Sequence, residues 1–145
     1  ALLFFASCGD ARQTVKSPAG YDLGKPEKFI MPDVLNEISG ISHRQDSFYA
    51  IQDEEGKLFY VRLGDQKAGS SKFGKKGDYE DLAIARNQVI ILRSDGTLFS
   101  FPFSESRQEE ITATKEWNDL APKGEYEGLY ADETAGMIYL ICKQC

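Results

Sequence analysis

The sequence predicts an all-β chain: a β-propeller with about two and a half four-stranded blades present. Three observations predict it. First, one segment recurs, as Glu37-Ile38-Ser39-Gly40-Ile41-Ser42, Asp78-Tyr79-Glu80-Asp81-Leu82-Ala83 and Glu125-Tyr126-Glu127-Gly128-Leu129-Tyr130. Second, each copy is followed by an apolar run: Phe48-Tyr49-Ala50-Ile51, Val89-Ile90-Ile91-Leu92 and Met137-Ile138-Tyr139-Leu140-Ile141. In the first two copies an acid-Gly turn and a second apolar run come next (Leu58-Phe59-Tyr60-Val61 and Leu98-Phe99-Ser100-Phe101). Third, the copies aligned on Ser39, Glu80 and Glu127 lie 41 and 47 residues apart. A period of about 40–50 residues built of strand-sized pieces is one blade per repeat.

Taken in order, residues 1–7 (Ala1 to Ser7) are apolar and then small, as at the end of a lipoprotein signal peptide. Cys8 follows and is the expected lipidation site, acylated by palmitate or a similar chain. The competing reading is a buried apolar N-terminus with a chance cysteine. Residues 8–20 are polar and rich in turn formers, which suits a flexible tether to a lipid anchor. No apolar run is long enough for a spanning helix, so the expected membrane contact is through lipid.

The propeller domain is expected over 21–145, with blades starting near 35, 78 and 125. Lys28 to Met31 reads as a short strand that closes a ring or packs on blade one. In blade one, strands are expected at Ile38 to Ser42, Ser47 to Gln52 and Lys57 to Leu63, with an outer strand near Ser71 to Phe73. Blade two predicts strands at Tyr79 to Ala85, Gln88 to Arg93 and Thr97 to Phe103, with an Asp95-Gly96 hairpin turn. Glu110 to Lys115 carries β-formers and suits the outer strand, and Trp117 to Leu120 reads as a helical turn. Blade three predicts strands at Tyr126 to Ala131 and from Met137 to about Lys143. Two and a half blades leave a strand edge open and close no ring, so the expectation is a piece of a longer protein. A small complete β-sheet protein is the alternative.

Composition narrows the function classes. The chain has 145 residues, 41% hydrophobic and 28% charged, which suits a globular domain. A net charge of −6 disfavours nucleic acid, whose phosphates need a basic footprint.

The run Leu35-Asn36-Glu37-Ile38-Ser39-Gly40-Ile41, with Gly77 to Ala83 and Tyr126-Glu127-Gly128-Leu129, resembles the SdiA-regulated family of bacterial envelope proteins. The resemblance covers about Tyr21 to Cys145. It implies a six-bladed phytase-like or NHL-like propeller, placed in the cell envelope on the plasma or outer membrane and facing the periplasm or the exterior. It implies no defined activity.

Glu80, Asp81 and Glu127 are the candidate metal ligands. Strand one of each blade is expected to line the channel, so these carboxylates would converge and repel unless a cation binds or one takes a proton. Oxygen ligands of this kind suit Ca²⁺. Ser39 at the equivalent place is a poor ligand. The competing reading is that Glu80 and Glu127 bond backbone amides of neighbouring blades. The single histidine, His43, sits in a turn without an evident partner. No catalytic residue is assigned. Cys142 and Cys145 are half a zinc site at best; in an oxidising periplasm they are a candidate disulfide, with a strand end as the geometric obstacle.

The resulting expectation is an envelope-anchored binding module for an unknown small molecule, ion or protein. The alternative is a metal-dependent phosphoesterase in the same channel.

Overall fold

The computed structural model describes residues 16–145. Cys8, the signal remnant 1–7 and the first part of the tether lie outside the described residues. Among the described residues the fold is all-β, with three antiparallel sheets, none of them closed. Sheet one is the meander β1 (Ile38–Arg44), β2 (Ser47–Gln52), β3 (Lys57–Val61) and β4 (Gly69–Lys72). Sheet two repeats it with β5 (Tyr79–Ala85), β6 (Gln88–Arg93), β7 (Leu98–Pro102) and β8 (Lys115–Trp117). Sheet three is β9 (Glu125–Asp132) paired with β10 (Met137–Gln144).

Alternation along each strand decides which neighbour its side chains meet. On β2, Tyr49 and Ile51 point toward sheet two, and Ala50 points to the opposite face. On β6, Val89 and Ile91 point back toward sheet one, and Ile90 and Leu92 point forward to sheet three. Two cores result. The larger lies between sheets one and two, around Ile51, Leu58, Phe73, Tyr79, Ile91 and Phe101. The smaller lies between sheets two and three, around Leu92, Leu98, Tyr126 and Leu129. The outer face of sheet one is capped by Leu35 and Met31. Each fully buried aliphatic side chain of this kind contributes about 1.5–3 kcal/mol.

The first strands of the sheets lie side by side: β1 packs on β5, and β5 on β9. They are tied at both ends. At one end the Tyr79 N–H donates to the Asp53 carbonyl (2.9 Å) and the Tyr126 N–H to the Ser94 carbonyl (2.8 Å). At the other, Arg44 donates to the Asn87 side chain (2.7 Å) and the Arg86 N–H to the Glu133 carboxylate (2.9 Å). Arg86 and Asn87 have φ of 46° and 60°, the two positive values that a tight hairpin turn matching the strand twist requires.

Three expectations are corrected. Lys28 to Met31 forms no strand; Ile30 is 92% exposed, and only Met31 of the four packs against the core beneath sheet one. The outer strand of sheet two is Lys115–Trp117 and not Glu110 to Lys115. Ile111 leaves the ladder because it is drawn into the core between sheets one and two, where it is 5% exposed. Its N–H donates to the Lys72 carbonyl at 2.8 Å. Trp117 therefore belongs to a strand, and no helical turn forms over 117–120.

Candidate functional site

The ladders slip by one residue at the same aligned place in all three sheets. Ile38 faces Gln52 and Gly40 faces Ile51, which leaves Ser39 unopposed. Tyr79 faces Arg93 and Asp81 faces Leu92, which leaves Glu80 unopposed. Tyr126 faces Cys142 and Gly128 faces Ile141, which leaves Glu127 unopposed. A β-bulge of this kind bends the strand and re-aims the extra side chain. Ser39, Glu80 and Glu127, the residues on which the repeat aligns, are thus three equivalent bulge residues on adjacent strands.

The three carboxylates named from sequence have three different environments. Glu80 is half-buried, and its carboxyl is pushed up to about 7. Burial is the main cause, followed by the negative charges of Asp78 and Glu127, a hydrogen bond with Asp78 and the charge of Asp53. Asp81 spends both oxygens on backbone amides: Oδ1 accepts from Leu82 and Oδ2 from Leu129 across the sheet interface, each at 2.8 Å. Glu127 is exposed and accepts from Lys143 Nζ at 2.8 Å, and the same ammonium reaches Glu125 at 3.2 Å. Those two carboxylates hold the Lys143 ammonium well above its ordinary range. Among the described residues no three His, Cys, Asp or Glu side chains gather closely enough to hold a metal ion. Of these three carboxylates, the one that bonds a neighbouring sheet's backbone is Asp81, not Glu80 or Glu127.

Further residues make this arrangement fit; of these, the small Gly40 suits a crowded inner strand on sequence alone. A Cβ on Gly40 would lie 2.8 Å from Asp81 Cα, so only glycine lets β5 approach β1 there. Tyr79 and Tyr126 each donate their hydroxyl to the carbonyl four residues upstream, Lys75 and Pro122, at 2.8 Å. The signal for both was present, since they precede Glu80 and Glu127 in the repeat. Arg107 gave none. It follows β7 and reaches back to the Ser47 hydroxyl (2.8 Å) and the Tyr49 hydroxyl (3.3 Å). Lys143 gave none either, because its partners lie 16 and 18 residues away.

Elsewhere, His43 is not in a turn but on β1, where the ladder extends to Arg44; it is exposed and lies against its cross-strand partner Phe48, with ring centroids 4.8 Å apart. Cys142 and Cys145 are joined through their sulfurs, with Cα atoms 6.0 Å apart. An apolar cleft between sheets two and three is lined by Ile90, Leu98, Trp117, Leu120 and Ile138. At the corresponding place between sheets one and two, Phe99 and Phe101 of β7 fill the space. Among the described residues no helix is long and apolar enough to cross a membrane. No protein-family model and no curated protein matches the chain.

Proposed function

We propose that the chain is part of an envelope-anchored β-propeller that serves as a binding module, held to the membrane through lipid on Cys8. The observation that carries the reading is the recurrence of one bulge on three adjacent first strands, β1, β5 and β9. In a radial array of blades such strands line the axis, and bulges there aim side chains off the ladder toward a ligand. The side chains so aimed are Ser39, Glu80 and Glu127, and Asp53 and Asp78 add charge beside Glu80. Crowded carboxylates of this kind are relieved by a proton or by a cation, so the ligand class is cationic. A ring of similar bulges would present one such group per blade. The SdiA-regulated resemblance agrees with this placement in the envelope.

The geometry favours a shallow cationic contact over a closed calcium cage. Asp81 has no oxygen free of a backbone amide, and Lys143 already occupies Glu127. Calcium is therefore the simplest probe of the site rather than its assigned occupant. The test is a Ca²⁺ titration read by thermal melting at pH 8, on the native chain and on Glu80→Gln with Glu127→Gln. A rise in Tm that the double variant abolishes supports the binding module. An unchanged Tm in both removes the cation site. Turnover of phosphate esters by the calcium-loaded protein would favour the hydrolase alternative. Intact mass of the protein extracted from its own envelope tests the lipid on Cys8.

A further inference from the structure

Cys142 and Cys145 stand where sheet two has a turn. Cys142 faces Tyr126 across its ladder as Arg93 faces Tyr79, so Cys142-Lys143-Gln144-Cys145 corresponds to Arg93-Ser94-Asp95-Gly96. In sheet two those four residues are closed by the Gly96 N–H donating to the Arg93 carbonyl at 2.9 Å. In sheet three the disulfide spans the same four positions.

The disulfide sits on a second bulge. Cys142 faces Tyr126 and Gln144 faces Glu125, which leaves Lys143 unopposed on β10. Its ammonium is turned onto Glu125 and Glu127. Gly124 lies beneath the bridge. A Cβ there would meet the Gln144 carbonyl at 2.6 Å, Cys145 Sγ at 2.8 Å and Cys142 Sγ at 3.1 Å. The closed form thus fits only a glycine at 124. Cys145 is exposed and Cys142 half-buried.

We propose that Cys142–Cys145 is a reducible latch that holds Lys143 on Glu127 as a built-in cation, so that a dithiol reductant opens this side of the site to an external cation. The part concerning an external cation rests on the binding-module reading; the latch itself does not. In the exchange, a reductant thiolate attacks the Cys145 sulfur and the bridge breaks. Cys142 leaves as a thiolate and takes a proton. The second thiol of the reductant then attacks the mixed disulfide and releases Cys145. The chain gains two electrons and two protons, and the reductant departs as its own disulfide. With the short ring open, nothing covalent holds the Lys143 bulge, and an exposed ion pair is too weak to hold it alone.

The test uses the full chain, oxidised and treated with dithiothreitol under native conditions, with thiol labelling to score opening. Proton NMR follows the cross-strand contact between the Lys143 ε-methylene and the Glu127 γ-methylene. Calorimetry measures Ca²⁺ binding on the same samples. The expected result is loss of the contact on reduction and Ca²⁺ affinity higher by about two- to five-fold, the range an exposed ion pair allows. Lys143→Gln should give the higher affinity without reduction and remove its redox dependence. This variant keeps the proposal testable if Cys142→Ser with Cys145→Ser fails to fold. A bridge that resists dithiothreitol in the folded chain, or a Lys143–Glu127 contact that survives reduction, overturns the latch. Loss of the contact with unchanged Ca²⁺ affinity leaves the latch standing and sinks the cation reading.

Discussion

Asp81 on β5 accepts the backbone N–H of Leu129 on β9 at 2.8 Å, and so joins the first strands of two sheets through one carboxylate oxygen. Its other oxygen accepts the Leu82 N–H. Leu129 is buried, so its N–H has little access to water as a substitute. Asp81→Ala should cost about 1–3 kcal/mol, the penalty for leaving a buried donor unpaired. Asp81→Asn keeps one carbonyl acceptor and should cost less. Urea unfolding of both variants measures the difference, and equal losses would remove the bridging role.

Gly40 gives the same strand its room on the other side. A Cβ at this position meets Asp81 Cα at 2.8 Å and the Leu82 nitrogen at 3.0 Å, both backbone atoms that cannot rotate away. Gly40→Ala should therefore destabilise by about 1–3 kcal/mol through overpacking. Loss of protection from hydrogen exchange along β1 and β5 should accompany it, while β9 and β10 keep theirs. A stability unchanged from the parent would mean that the two sheets shift apart without cost.

Glu80 makes stability depend on pH. Its carboxyl titrates near 7 in the folded chain against an ordinary 4.5, through burial and the charges of Asp78, Glu127 and Asp53. Below 4.5 both folded and unfolded forms carry the proton, and stability is flat. Between 4.5 and 7 only the folded form keeps it, so stability falls as pH rises. Above 7 the loss is complete, on the order of 1 kcal/mol once solvent screening is allowed for. Glu80→Gln should be more stable than the parent at pH 8 and indistinguishable from it at pH 4. Melting curves across this range check it; a parent curve that rises between pH 5 and 7 would reverse the sign.

Tyr79 and Tyr126 are 2% and 4% exposed, and each hydroxyl donates to a carbonyl four residues upstream. They lie in different cores, so their effects should add. Tyr79→Phe and Tyr126→Phe should each cost about 1 kcal/mol, and the double variant about 2 kcal/mol. Urea midpoints of the three variants test it. A double variant no worse than either single one would show that the two corners are coupled.

Much of the strand order was legible because alternation and turn chemistry are local. Ser47–Gln52, Tyr79–Ala85 and Gln88–Arg93 match their expected spans at both ends. The errors fell where a long-range partner outweighs propensity. Ile111 has the residue type of a strand, yet it is taken by the core between two sheets. The repeat also aligned Ser39, Glu80 and Glu127, which are the bulge residues, but it did not give the partners of the carboxylates Glu80, Asp81 and Glu127.

By itself, then, the sequence determined an all-β chain built from a recurring strand unit, since periodicity and turn residues act over a few neighbours. It also aligned Ser39, Glu80 and Glu127 as equivalent, though not as bulge residues. Only the tertiary structure decided what the acids there do. Asp81 serves the backbone because Gly40 lets β5 come close and Leu129 then falls within reach of its carboxylate. Glu127 is matched by Lys143 because a second bulge turns that side chain onto it. Glu80 is half-buried and set among like charges, so burial first and those charges second hold its proton to near neutral pH. These roles depend on distances across sheet interfaces, which no spacing along one chain records.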